Sequence, residues 1–411
     1  MTKKHAIKFV SRFLFILFLL SGVFTSAAPP EAATLWNPEE YFANPPDVQW
    51  GESKGLVRPI YYEGEKYNGK PTRVFAYYAK PEGEGPFPAV LLIHGGGGKA
   101  FADWAELWAK RGYVALAPDL AGSGPDGRLE DGGPHQGDTE KFRNFTLEDG
   151  DYNNMWTWQV IAALLRGHSL LAAQKEVDAD RIAATGISWG GYLTCILAGV
   201  DPKLKAAVPV YGCGFLDENS AWKDNGTFSK MSPEQRERWV ALFDPARHLG
   251  KAKCPMLFVN GTNDFAYPPD SWSKSTRLPQ GKVWQSFTIK LPHGHIFTFK
   301  EVDAFIDSVL LKNSKPLATV FPLEVHHNGV AQTLFRSEVP IVKAELIWTT
   351  DKGAWQQREW QSVPATISGQ EGVSATLPTW ATLRPTACCI VLTDERGLRV
   401  STPVVILPQE P

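Results

Sequence analysis

Along residues 73–291, short apolar runs alternate with stretches in which apolar residues recur every three or four positions. The runs are "RVFAYYAKP", "FPAVLLIHG", "YVALAPDLAG", "RIAATGIS", "LKAAVPVYG", "CPMLFVNGTND" and "WQSFTIKLP". Several lack in/out alternation, as strands covered on both faces do, so a doubly wound, mostly parallel α/β sheet is predicted. Helices are expected at "WAELWAKRG", which Gly112 stops, and at "MWTWQVIAALLRGHSLLAAQ". After "EVDAFIDSVLL" the period changes. From Pro316 onward no helical spacing remains: "VKAELIW" sets Val342, Ala344, Leu346 and Trp348 against Lys343, Glu345 and Ile347, and "TDERG" supplies a turn before "LRVSTPVVIL". The expected organisation is an α/β domain over residues 29–314 and an antiparallel β-sandwich of immunoglobulin-like size over 315–411.

Two connections are too long for a plain crossover, Ala121 to Asn154 and Cys213 to Lys253, and insertions at that edge of a parallel sheet cover a site. At the start, Lys3, Lys4, Lys8 and Arg12 precede the apolar run Phe13 to Phe24 and small residues through Ala28. That is the pattern of a signal peptide over residues 1–28, cleaved near Ala27 or Ala28, and it predicts export to the periplasm or beyond. An uncleaved anchor is the competing reading, but about a dozen apolar residues fall short of the roughly 20 that span a bilayer. The 411 residues carry a formal net charge of −2 with 43% hydrophobic residues, leaving no basic stripe for nucleic acid. Five cysteines, an odd count, argue against a disulfide framework, and Cys213 and Cys254 are expected at opposite edges of the sheet.

The chemistry begins at "ATGISWGGYLT", where Gly186-Ile187-Ser188-Trp189-Gly190 fits G-x-S-x-G between a strand and a helix. A sharp strand-to-helix turn that presents a strained serine leaves no room for side chains two residues to either side. A serine needs a base to take its proton and a carboxylate to orient that base, and in this arrangement both follow it in the chain. Asp264 ends "VNGTNDFAYP", and "LPHGHIF" offers two bases, His293 and His295. In "LLIHGGGG" the glycines of His94 to Gly98 let backbone N–H groups approach a substrate oxygen, which with the N–H of Trp189 makes an oxyanion hole. That loop lacks the Lys-Ser/Thr of a phosphate-binding loop. A metal held by Asp264, His293 and His295 has suitable residue types, but the serine elbow already accounts for them, and no cofactor is called for.

Over roughly Arg58 to Leu311 the sequence resembles α/β-hydrolase enzymes, most closely the branch of acetyl xylan esterases, cephalosporin deacetylases and dienelactone hydrolases, with prolyl oligopeptidase catalytic domains as relatives. The stretches that carry the likeness are "HGGGG", "ALAPDLAGSG", "GISWGG", "VNGTNDFAYP" and "PHGHIF". The resemblance implies Ser188 as nucleophile and Asp264 as orienting carboxylate. Its Gly-His-x-Phe context implies His295 rather than His293 as base. It also implies Gly96, with Gly97 beside it, and Trp189 as oxyanion donors. Dienelactone hydrolases carry cysteine where this chain has Ser188, and the C-terminal β-segment lies outside the basic hydrolase fold, resembling a domain appended to some exported acetyl xylan esterases.

The expected function is therefore an exported serine esterase acting through an acyl-enzyme on a small-molecule or carbohydrate ester. Fifteen tryptophans and the aromatic insertion with Phe215, Trp222, Phe228, Trp239 and Phe243 suit sugar rings, and Trp222 and Trp239 are the expected substrate contacts. A serine peptidase of the prolyl oligopeptidase type is the alternative enzyme. A binding protein with a retired triad is the alternative outside enzymes.

Overall fold

The computed structural model describes residues 35–135, 151–369, 371–378 and 383–407. The expected leader over 1–28 and much of the connection 121–154 lie outside the described residues. The central sheet has nine strands: β1 (Val48–Trp50), β2 (Val57–Glu63), β3 (Arg73–Ala79), β4 (Phe87–Ile93), β5 (Val114–Pro118), β6 (Val177–Ile187), β7 (Ala206–Val210), β8 (Met256–Gly261) and β9 (Val283–Thr288). Their order across the sheet is β1-β2-β3-β5-β4-β6-β7-β8-β9. From β5 to β9 every pairing is parallel, while β1, β2 and β3 form an antiparallel edge.

Burial follows from the helices laid on both faces. All of β5, β7 and β8 is buried, so these strands read as continuous apolar runs rather than alternating ones. Helices α1 (Ala102–Lys110), α2 (Trp156–Ala172), α3 (Trp189–Val200) and α4 (Lys300–Leu310) pack against the sheet. The connection 213–253 contains helices Pro233–Phe243 and Ala246–Leu249, and Ser232 caps the first through a reciprocal capping box with Gln235. Among the described residues no helix is long and apolar enough to cross a membrane. All five cysteines are buried with free thiols.

Beyond α4 the chain forms two antiparallel sheets that make a β-sandwich. One is built on Val330–Arg336 and Gly372–Thr376, the other on Ile341–Thr349 and Ala387–Asp394. Val330–Arg336 alternates buried and exposed positions as a one-sided strand should. The expected alternation along this strand needs two corrections. Ala344, Leu346 and Trp348 are buried, but Val342 is 63% exposed, and Ile347, expected on the other face with Lys343 and Glu345, is buried as well. The pairing with Ala387–Asp394 slips between Ile341 and Lys343, and that irregularity puts Val342 on the solvent side.

The sandwich docks on the sheet edge. Arg399–Ser401 packs beside β9, Ser273 Oγ donates to Val404 O at 3.0 Å, and Trp360 meets Phe287 edge-on with ring centroids 5.7 Å apart. Each buried indole removes roughly 200 Å² from water, worth about 5 kcal/mol before entropy is charged against it.

Candidate active site

Ser188 sits between β6 and α3 with φ 60° and ψ −117°. A non-glycine residue holds that conformation only when its surroundings fix it. The surroundings are backbone. A Cβ on Gly186 would overlap the carbonyl of Gly190, one on Gly190 the carbonyl oxygen of Ile93, and one on Gly191 that of Val210. Ser188 N donates to Val210 O at 2.9 Å, which ties the turn to β7.

Ser188 Oγ lies 2.8 Å from His293 Nε2, and His293 Nδ1 lies 2.7 Å from Asp264 Oδ2. The other carboxylate oxygen of Asp264 accepts from the N–H groups of Ala266 at 2.9 Å and Tyr267 at 2.7 Å. Asp264 follows β8 and is buried, whereas His293 remains partly open. Along the chain the three residues run serine, carboxylate, histidine, and the histidine that the structure sets against Ser188 Oγ is His293, not the expected His295.

The reason is a turn. Ile296 N–H bonds to Gly294 O at 2.9 Å, making His295 the middle residue of a three-residue reversal and leaving His293 to reach Ser188 Oγ. His295 Nε2 instead accepts from Gly95 N–H at 3.2 Å, and its ring lies 5.2 Å from that of Phe101. Burial and the neighbouring His293 hold His295 below the ordinary imidazole range, so it stays neutral and able to accept.

The glycine loop after β4 faces Ser188 through Gly95: a Cβ there would lie 3.0 Å from Ser188 Cβ. His94 fixes the loop from behind, with Nδ1 2.7 Å from Gly95 O and Nε2 accepting from Leu120 N–H at 2.8 Å. Burial lowers the His94 pKa, which keeps that arrangement neutral. Gly98 N–H bonds to Gly95 O at 3.1 Å, so Gly96 and Gly97 form the corners of a tight turn. Gly97, at φ +67°, has nothing within 4 Å of an added Cβ and is exposed. It supplies the left-handed corner the turn needs and does not face the serine. Gly96 is half-buried beside Gly95, and Trp189 opens α3 next to Ser188.

Aromatic rings wall the site. Trp189 meets Trp222 at 4.3 Å and Trp156 at 5.6 Å between centroids, and Trp222 meets Tyr267 at 5.3 Å. Phe265, 54% exposed, lies 4.7 Å from the His293 ring. Tyr211 stacks on the same imidazole at 4.5 Å and 24°, holds φ 51°, and donates its hydroxyl to Pro292 O at 2.7 Å. Of the two expected substrate contacts, Trp222 stands half-buried against Trp189, the residue after Ser188. Trp239 does not: it is 0% exposed, packed against Phe228 and Phe243. Together with Leu242 and Phe243 it forms the apolar stripe of helix Pro233–Phe243, so it fills the core of the insertion instead of facing a ligand.

Asp151–Asn154 forms a 3-10 turn just before α2, and residues 147–150 lie outside the described residues. Among the described residues no group of three His, Cys, Asp or Glu side chains could hold a metal ion. The sequence did not single out Tyr211 or Phe265. The spacing between Ser188, Asp264 and the histidines carries no signal for them, because each is placed by a turn or by a partner distant in the chain.

Comparison with known proteins bears on the fold. The acetyl esterase Axe7A of Xylanibacter ruminicola is 25% identical over 215 residues, 48% of this chain and 47% of that protein. The chain therefore spans about half the length of this curated relative. Among solved structures, the acetyl xylan esterase from Paenibacillus sp. R4 superposes with a TM-score of 0.54 at 22% identity, covering 67% of this chain and 92% of the other. Acetyl xylan esterase 1 from Thermoanaerobacterium sp. JW/SL YS485 gives 0.51 at 18% identity, covering 66% and 93%. At those identities the likeness is one of fold. The dienelactone hydrolase family profile matches residues 74–277, the span from β3 to beyond β8 that carries Ser188 and Asp264. With its sheet order, its serine elbow and this match, the chain carries a dienelactone hydrolase family domain of α/β-hydrolase fold.

Proposed function

We propose that this protein is an exported serine esterase that removes short acyl groups, acetyl above all, from carbohydrate esters. The observation that carries the reading is the unbroken chain from Ser188 Oγ through His293 to Asp264, at 2.8 and 2.7 Å, on a strained elbow. Ser188 attacks the ester carbonyl while its proton passes to His293 Nε2, and Asp264 holds the resulting imidazolium. The tetrahedral oxyanion is met by backbone N–H groups of Trp189 and Gly96. Collapse expels the alcohol, which takes its proton from His293, and a water activated by the same nitrogen then frees the acid. Export is supported by the basic start and apolar run of residues 3–24. A carbohydrate alcohol is supported by the half-buried Trp189 and Trp222 and by exposed Phe265 beside the base. The 25% identical acetyl esterase points the same way.

The test is release of acid from acetylated xylan, from a p-nitrophenyl ester series and from a proline-containing peptide, each compared with Ser188→Ala. Serine-dependent acetate release that falls beyond about four acyl carbons is expected. Peptide cleavage without ester turnover would overturn the reading.

A further inference from the structure

The loop that carries the triad carboxylate is gripped by the second domain. Asn263, immediately before Asp264, directs its side-chain amide at three carbonyls of one turn of the sandwich: Arg358 O at 2.7 Å, Trp355 O at 3.2 Å and Gln356 O at 3.2 Å. Immediately after Asp264, Phe265 O accepts from Gln356 Nε2 at 3.3 Å. Asp264 is thus bracketed by contacts to a single turn. A third contact reaches the base: Lys290, three residues before His293, pairs with Glu359 at 3.1 Å.

These contacts join into one path. Asn263 Oδ1 accepts from Thr262 Oγ1 at 2.5 Å, and Thr262 Oγ1 accepts from Lys290 N–H at 3.0 Å. The loops bearing the acid and the base are therefore coupled through Asn263 and anchored together to the sandwich. Inside the hydrolase domain, the N–H groups of Ala266 and Tyr267 fix the Asp264 carboxylate relative to its own loop. Asn260 Nδ2, at the end of β8, donates to Tyr267 O at 2.9 Å and Thr262 N–H to Thr288 O at 3.0 Å, so the ends of the loop are tied to the sheet, while Asn263 between them faces the sandwich. The turn is a firm anchor: Arg358 lies over the Trp355 ring at 3.5 Å and donates to Gly353 O at 2.8 Å. Trp355 stacks with Trp360 at 6.4 Å, and Glu359 N–H bonds to Asp351 Oδ2 at 2.7 Å.

We propose that the turn Trp355–Glu359 of the β-sandwich positions the triad's acid loop, with Asn263 as the positioning residue that transmits its hold to Asp264 and His293. This rests on the Ser188–His293–Asp264 reading above. A carboxylate that drifts from His293 stabilises the imidazolium less, so the histidine gives up its proton at lower pH and the base is poorly oriented.

The experiment uses the full chain and three variants: Asn263→Leu, which keeps the volume and removes the amide; Gln356→Ala, on the exposed side of the same turn; and Ser273→Ala, which removes one hydrogen bond elsewhere in the same domain interface. Active enzyme is counted with a fluorophosphonate before kcat, KM and the pH profile are measured on p-nitrophenyl acetate. The strongly downfield His293 Nδ1 proton is followed by NMR. Asn263→Leu is expected to lower kcat about tenfold or more with KM changed less than about threefold, to move the acidic limb to lower pH and to lose the downfield proton. Gln356→Ala should shift all three in the same direction by less, and Ser273→Ala should match the parent. A folded Asn263→Leu with the parent's kcat, limb and proton signal overturns the proposal, as does Ser273→Ala reproducing the Asn263→Leu behaviour. If the parent shows no Ser188-dependent turnover, the esterase reading falls on its own, and the proton signal still decides the positioning claim.

Discussion

His293 and His295 leave the same short loop in different directions, one toward Ser188 Oγ and the other onto the Gly95 amide. Two imidazoles in one site therefore do separate work. Removing the base should be as costly as removing the nucleophile: His293→Ala is expected to lower kcat about ten-thousandfold. His295→Ala should lose no more than about tenfold, since it frees a backbone N–H and takes no proton. Steady-state kinetics of the two variants decide the assignment, and equal collapse in both would refute it.

The tryptophans of the insertion should separate in the same way. Trp222→Ala should raise KM for a carbohydrate ester several-fold, with unfolding free energy changed by about 1 kcal/mol or less beyond lost packing. Trp239→Ala, at a fully buried site, should cost about 3–5 kcal/mol in denaturant unfolding. A Trp239 variant as stable as the parent would contradict the packing described for helix Pro233–Phe243.

His248 gives a pH test of stability. Its Nε2 donates to Leu242 O at 2.9 Å, its Nδ1 is buried without a partner, and burial pushes its pKa down to about 4. The unfolded chain takes up this proton near pH 6.5, the folded one only near 4, so in that window the unfolded state binds more protons. Stability then falls as pH drops from 6.5 toward 4, by up to about 3 kcal/mol from this group. His248→Asn should flatten that part of the profile relative to the parent in urea titrations, and parallel profiles would exclude the effect. The difference between the two proteins matters here, because Asp244 and Asp303, both pushed up to about 6 by burial, slope the other way.

Asp244 organises the entry to the insertion. It is fully buried and accepts from the N–H groups of Phe215, Leu216 and Ala246 at 2.8–2.9 Å, with Phe215 held at φ 59°. Asp244→Ala leaves those donors without their acceptor and should cost about 3 kcal/mol or more. Asp244→Asn, which keeps one oxygen, should cost less. Thermal unfolding of both variants measures the order, and the reverse order would refute the role.

The residues that could be read from sequence are those whose placement is local. Ser188 is announced by its own glycines and Asp264 by the end of its strand. The seven apolar runs became β3 to β9 because two-sided burial leaves a continuous apolar signature. What distinguishes His293 from His295 is a single hydrogen bond between Gly294 and Ile296, which spacing cannot express. The antiparallel edge of β1 and β2 went unread, although Ile60 and Tyr62 in β2 are buried at alternate positions. Trp239 was legible in principle: with Leu242 and Phe243 it recurs at helical spacing, a core signal that aromatic composition obscured. Asn263 could not be read at all, since its partners lie more than ninety residues away.

The nucleophile turn also limits how this gene can vary. At Gly186, Gly190 and Gly191 the nearest neighbours are main-chain atoms, so a change of a nearby side chain alone cannot make room for even a methyl group. At Gly97, Gly353 and Gly397 only the backbone angle is demanding, and asparagine is admissible there. A library randomised across all six positions and selected for folding should return one residue at the first three and several at the others. Descendants of this sequence can therefore vary at those open turns while the peptide segment that presents Ser188 stays as it is.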